Sequence, residues 1–128
     1  MRLIAYAYQT REYGLSYSSK IPKEVKDKII CWCDASHAAE AGSKSRGGYV
    51  IKMNGAAIAY QSKLISNICL SSAESETTAL IPALKDVIWL RLLLYELGYS
   101  QPGSTEVNED SMATIGAASN NSQSKASR

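Results

Sequence analysis

Three carboxylates stand where this sequence could do chemistry. Asp34 closes the apolar run IICWCD, Glu76 lies early in the stretch SSAESETTALIPALKDVIWLRLLLYELGY (71–99), and Asp110 ends the segment TEVNED (105–110). Brought to one point they would repel one another unless cations neutralised them. Oxygen-only ligands select a hard cation, Mg²⁺ or Mn²⁺. Mg²⁺ keeps several waters and takes few protein carboxylates, which leaves room for a substrate phosphate, and two such ions can activate a water and stabilise the leaving oxygen of a phosphodiester. Each acid also has an ordinary explanation. Asp34 can simply end a strand, Glu76 can be a first-turn helix acid favoured by the dipole, and Asp110 can cap a helix. Spacing alone leaves both readings open.

The elements that must position these acids are legible to different degrees. Residues 71–99 read as one long helix. Ser71 and Glu74 have capping-box spacing, and Gly98 stands where a left-handed residue ends a helix. Leu80, Ala83, Leu84, Val87, Ile88, Leu90, Leu94 and Leu97 recur at helical spacing. Glu76 shares a face with Leu80, Ala83 and Val87, so a carboxylate projects from the core-facing stripe and needs a partner, a proton or a metal. Ile29–Ser36 reads as a central strand, with Ile30, Trp32 and Asp34 on one side and Ile29, Cys31 and Cys33 on the other; two apolar sides predict cover on both. Asn54-Gly55 predicts a tight hairpin between strands at Gly48–Met53 and Ala56–Lys63. Residues 37–47 read as a loop, 105–110 as a short strand and 111–118 as a helix. Near the start, LIAYAYQT reads as a helix end, followed by a strand at about 14–18 and a charged connector at 21–28 opened by Pro22. A hairpin followed by helix and strand predicts a mixed sheet with packed helices. In it the end of the central strand, the start of the long helix and the end of the last strand can meet.

Composition narrows the rest. The chain has 128 residues, 45% hydrophobic residues and a formal net charge of +2, which suits one globular domain and neither requires nor excludes a nucleic-acid partner. No signal peptide is read at the N-terminus, and Lys85, Asp86, Arg91 and Glu96 interrupt the most apolar stretch, so no membrane partner is expected. Cys31, Cys33 and Cys69 sit in apolar runs, as reduced thiols would. With His37 they could be drawn as a zinc site, but C-x-C within a strand and the lack of a C-x₂₋₄-C pair argue for buried thiols. Trp32 and Trp89 read as core residues. Lys44 and Arg46 are candidate contacts to substrate phosphate, and Ser72 and Ser75 lack a His–acid pair that would make either a nucleophile.

Longer strings add a resemblance. DAS (34–36), KSRGGYV (44–50), GAAIAYQSK (55–63), SSAESE (71–76), WLRLLLYEL (89–97) and EDSMATI (109–115) stand in that order. Together they resemble the ribonuclease H domain of copia-type LTR retrotransposon Pol polyproteins, and TREYGLSYS (10–18) resembles the segment that joins reverse transcriptase to that domain. The resemblance implies an α/β, ribonuclease H-like mixed sheet with flanking helices. Residues 1–20 would be the end of the connection to reverse transcriptase, 21–118 the ribonuclease H-like domain and 119–128 a polar tail. It further implies an endonuclease that cuts the RNA strand of RNA–DNA hybrids with two Mg²⁺ (or Mn²⁺) ions. Asp34, Glu76 and Asp110 would be catalytic and metal-holding, the reverse transcriptase portion of the same polyprotein a partner, and a cytoplasmic virus-like particle or the nucleus the location. A catalytically silent remnant of the same fold, acting as a binding or structural module, is the alternative.

The sequence departs from the family's pattern in four places. His37 stands for a large aromatic, Ser43 for an Arg, and Pro82 lies inside the long helix, where a kink near Thr78–Pro82 is expected. The family also continues beyond the position of Arg128 with a segment carrying a fourth acid, a fifth strand and a final helix. The resemblance therefore implies that the last strand and helix are missing and that residues 1–128 alone cut weakly or not at all.

Overall fold

The computed structural model describes residues 2–119. Its elements run α1 (Arg2–Gln9), β1 (Ile29–Glu40), β2 (Lys44–Met53), β3 (Ala56–Leu64), α2 (Ser72–Glu96), β4 (Glu106–Asn108) and α3 (Met112–Ser119). The sheet has the order β3-β2-β1-β4. β1 is antiparallel to β2, β2 is antiparallel to β3, and β4 lies parallel to β1 on its other side. This mixed sheet with flanking helices is consistent with the ribonuclease H-like fold that the sequence strings imply. The expected polar tail at 119–128 lies, but for Ser119, outside the described residues.

Local chemistry accounts for the best-defined joints. At the β2–β3 turn Asn54 and Gly55 take φ of 53° and 91°, the left-handed pair that suits the twist of a two-residue hairpin. At the start of α2 the Ser71 side chain accepts from the Glu74 N–H at 3.2 Å, while Glu74 Oε2 accepts from the Leu70 N–H at 2.7 Å. The Ser71 bond meets one orphan donor of the first turn, while the reciprocal bond from Glu74 falls on Leu70, one residue before the N-cap that the usual box serves. At its end Gly98 has φ +85°, its N–H bonds Tyr95 O at 3.0 Å and the Tyr99 N–H bonds Leu94 O at 2.7 Å, the paired closure of a glycine-ended helix.

α2 packs on one face of the sheet. Ile29, Cys31, Cys33, Tyr49 and Ile51 meet Leu80, Ala83, Val87, Leu90 and Leu94 in one apolar core. The approach is closest near Gly47, where a Cβ would stand 2.7 Å from the Ala79 Cβ. Only a glycine lets β2 come so near the helix, and this crossing lies one turn from Glu76. Burial also raises the thiol pKa of Cys31 to about 11 and drives that of Cys33 higher still, so both stay protonated.

Several expectations are corrected. The segment after α1 forms no strand at 14–18; it touches the hairpin through the Ser18 N–H to Asn54 O and the Tyr17 hydroxyl to Ala57 O, without a ladder. The expected loop at 37–47 is mostly strand. β1 continues to Glu40 across a bulge between Ser36 and Glu40, and β2 starts at Lys44. The bulge is held by Ala38, at φ 49°, whose N–H bonds the buried Ser45 Oγ. β1 is not covered on both sides: Trp32 is 37% exposed, with the Lys52 ammonium over its ring. α2 packs on the other face and α3 packs on α2, so among the described residues Ile30 and Trp32 border only a shallow groove formed with the 21–28 connector and hairpin residues 52–55. On α2, Leu84, Ile88, Trp89 and Leu97 point to solvent, because the helix is apolar nearly all round and only one stripe finds the sheet.

α2 also runs unbroken through Pro82 instead of opening there. An interior proline still removes one helix hydrogen bond and crowds the carbonyl of Thr78. Pro82→Ala is therefore expected to stabilise the chain, by up to about 3 kcal/mol. Urea unfolding of the two chains checks this; a lower midpoint in the variant would mean that the packing of α2 requires the proline.

Candidate metal centre

Three elements deliver the acids. Asp34 stands midway along β1, paired across to Gly48, and does not end the strand as expected, because the ladder continues past it to Glu40. Glu76 lies in the second turn of α2, after the first-turn acid Glu74. Asp110 follows β4, and Ser111 caps α3 by accepting from the Thr114 N–H at 3.3 Å. The ordinary explanations weaken accordingly: Glu76 is past the turn where the dipole acts most strongly, and the cap of α3 is Ser111, not Asp110.

One carboxylate oxygen from each of Asp34, Glu76 and Asp110 lies within 4.8 Å of the other two. Asp34 and Asp110 are exposed, whereas Glu76 is only 5% exposed. Its Oε2 is buried and has no hydrogen-bond partner among the described residues. Burial, first, and then the neighbouring charges of Glu109, Asp34 and Asp110 push the Glu76 carboxyl up to about 7, against a hydrogen bond from the Ala35 backbone that lowers it. An orphaned oxygen of this kind normally costs about 1–3 kcal/mol, and a cation is a ligand that removes the cost. Carboxylate oxygens bound to one Mg²⁺ at 2.0–2.1 Å can stand up to about 4 Å apart, so small side-chain adjustments suffice. The donor set is all oxygen, which fits Mg²⁺ or Mn²⁺ and not a soft metal.

Of the two basic candidates, Arg46 borders a groove with Asp34 and Lys44 does not. Arg46 shares a shallow groove with Asp34, Ser36, Gly47, Gly48 and Ser62, and its Nε bonds Glu40 Oε1 at 2.7 Å. A residue that sequence reasoning passed over is Glu109. It contributes the largest of the three neighbouring charges at Glu76, accepts from the Cys33 thiol at 3.2 Å and from the Ser111 N–H at 3.1 Å. Its place beside Asp110 in EDSMATI was visible, but nothing local distinguishes it from a solvated acid.

Among curated proteins the chain is 32% identical over 90 residues to a secreted RxLR effector protein 161 of Plasmopara viticola, covering 70% of this chain and 61% of that protein. It is 39% identical over 71 residues to the retrovirus-related Pol polyprotein from transposon TNT 1-94 of Nicotiana tabacum, 55% of this chain and 5% of the polyprotein. It is 28% identical over 123 residues to the transposon Ty1-DR5 Gag-Pol polyprotein of Saccharomyces cerevisiae, 96% of this chain and 7% of the polyprotein. The chain thus spans less than two thirds of the first relative and a small part of each polyprotein. No family model matches the sequence, and no solved structure does. The similarity to polyproteins from two organisms supports a retrotransposon-derived chain.

Proposed function

We propose that this chain is the ribonuclease H-type endonuclease segment of a retrotransposon polyprotein and cuts the RNA strand of RNA–DNA hybrids with Mg²⁺ or Mn²⁺. The observation that carries the reading is the meeting of Asp34, Glu76 and Asp110 within 4.8 Å around a buried, unpartnered Glu76 oxygen. The mixed sheet with its flanking helices and the similarity to Pol polyproteins support it.

In this reading Asp34, exposed midway along β1, and Asp110, exposed just beyond β4, face the substrate side, and Glu76 closes the site from the helix below. Bound divalent ions would supply Lewis acidity and an activated water at the scissile phosphate. The chain's own part is to hold three carboxylates in fixed positions on a rigid sheet and helix, so that charge is organised before substrate arrives. Glu109 keeps its place through the Cys33 thiol and the Ser111 N–H, and it adds negative charge beside Glu76.

The test is a 5′-labelled RNA–DNA hybrid incubated with the chain in Mg²⁺ or Mn²⁺. Weak cutting of the RNA strand is expected from residues 1–128, strengthened by Mn²⁺ and abolished by chelation. Asp34→Asn, Glu76→Gln and Asp110→Asn should each lower the rate by about 10²-fold or more, the scale at which loss of an electrostatic group is felt. Cutting that survives Glu76→Gln or chelation would overturn the assignment. Hybrid binding without any cutting would mark the chain as a silent remnant of the fold.

A further inference from the structure

We infer that the groove beside the carboxylate cluster seats one phosphodiester of a nucleic-acid strand, gripped by Arg46, and that Glu40 is the residue that positions Arg46 for it. The choice of ligand rests on the hybrid-cleavage reading above.

Strand register lays this groove out. On the face of the sheet away from α2, Asp34, Gly48 and Ser62 form one row across β1, β2 and β3, and Ser36, Arg46 and Leu64 form the next. The first row therefore has a candidate cation ligand at one end, a hydroxyl at the other and a bare backbone between them. Any side chain at Gly48 would start 3.0 Å from the Gln61 carbonyl oxygen and fill the floor. Arg46 closes the groove one row along. A strand whose scissile phosphate met cations at Asp34 would run its next phosphate toward the guanidinium, with Ser36 and Ser62 able to donate to phosphate or sugar oxygens.

Glu40 does more than neutralise Arg46. It touches the guanidinium at Nε, with 2.7 Å between the atoms. A guanidinium has five N–H donors in a rigid fork, so this contact leaves the two terminal nitrogens for a bidentate phosphate. Among the described residues those nitrogens have no hydrogen bond of their own. Glu40 reaches Arg46 because of the bulge in β1, which adds residues between Ser36 and Glu40 and turns the strand end back. The bond from the Ala38 N–H to the fully buried Ser45 Oγ, 3.1 Å, locks that bulge. Lys44 pairs with Glu40 in register yet lies outside the groove.

The experiment measures binding by fluorescence anisotropy, with a labelled RNA–DNA hybrid of about 16 base pairs whose RNA strand is 2′-O-methylated to resist cutting, in Mg²⁺ across a salt series. Arg46→Ala is expected to weaken binding about tenfold and to lower the slope of log affinity against log salt by about 1, the signature of one lost phosphate contact. Glu40→Ala removes an acid from a polyanion site, which by charge alone would tighten binding; weakened binding is expected instead, because the guanidinium loses its support. Glu40→Gln keeps an acceptor for Nε and should bind at least as well as the parent. Lys44→Ala should change the affinity less than Arg46→Ala. Equal effects of Lys44→Ala and Arg46→Ala, or tighter binding by Glu40→Ala, would overturn the inference. Cutting of unmodified hybrid with no dependence on Arg46 would leave the endonuclease reading standing and this groove refuted. Arg46-dependent binding without cutting would do the reverse.

Discussion

Without divalent ions, this chain is expected to lose stability as pH rises from about 4.5 to about 7, and Glu76→Gln is expected to remove most of that loss. Glu76 is 5% exposed, and its carboxyl is raised from an ordinary 4.5 to about 7 by burial and by Glu109, Asp34 and Asp110. Below 4.5 the group is protonated whether the chain is folded or unfolded, and it costs nothing. Between the two values the unfolded chain releases the proton and the folded chain keeps it, so the native state binds more protons and stability falls with pH. Above 7 the penalty is complete. A shift of this size corresponds to about 3 kcal/mol, and glutamine, which cannot ionise, carries none of it. Urea unfolding in chelator at pH 4.5 and pH 8 measures the difference. Parallel pH profiles for the parent and Glu76→Gln would mean that Glu76 is solvated and not the buried floor of the site.

How much of this was legible in the sequence depended on how local the cause was. The caps of α2, the Asn54-Gly55 turn and the Gly98 ending are set by residues within one turn of each other, and each could be read directly. The second face of β1 could not. Ile30 and Trp32 look like core because apolar residues alternate on both sides, but whether a layer covers them depends on distant elements, and α2 and α3 pack elsewhere. The same limit applies to Trp89 and Ile88, apolar residues on the side of α2 that neither the sheet nor α3 covers. The segment 37–47 reads as a loop by its Ala, Gly and Ser content, yet Ser45 burying its hydroxyl against the Ala38 N–H turns it into a bulged ladder. At the site, Asp34, Glu76 and Asp110 could be named because the apolar run before Asp34, the helix start before Glu76 and the segment before Asp110 are recognisable, although β1 runs on past Asp34. Glu109, Glu40 and the Gly48 floor were hidden, since their significance lies in cross-strand register and in a thiol contact that no sequence pattern records.

Mg²⁺ or Mn²⁺ is expected to raise the melting temperature of the chain at pH 8, and the rise should be absent in Glu76→Gln and in Asp110→Asn. At that pH the folded state carries three carboxylates with oxygens within 4.8 Å, one of them buried and unpartnered. A cation held by all three is bound by the native chain alone, because the acids come from β1, α2 and the segment between β4 and α3, and unfolding separates them. An ion at 100 times its dissociation constant then adds about 2.7 kcal/mol. For a chain of this length that is a rise of roughly 8–16 °C, at about 3–6 °C per kcal/mol. The effect should fade as pH falls below about 7, where the folded chain takes up a proton on Glu76, and be largely gone at pH 5. Glu76→Gln separates this effect from the previous one: it should raise stability in chelator and abolish the gain from metal, two changes of opposite sign from one substitution. Asp110→Asn should abolish the gain while leaving Glu76 buried. A thermal scan with and without the ion, at pH 5 and pH 8, is sufficient. An equal rise in all three chains would place the ion elsewhere on the molecule and remove the carboxylate cluster as its site.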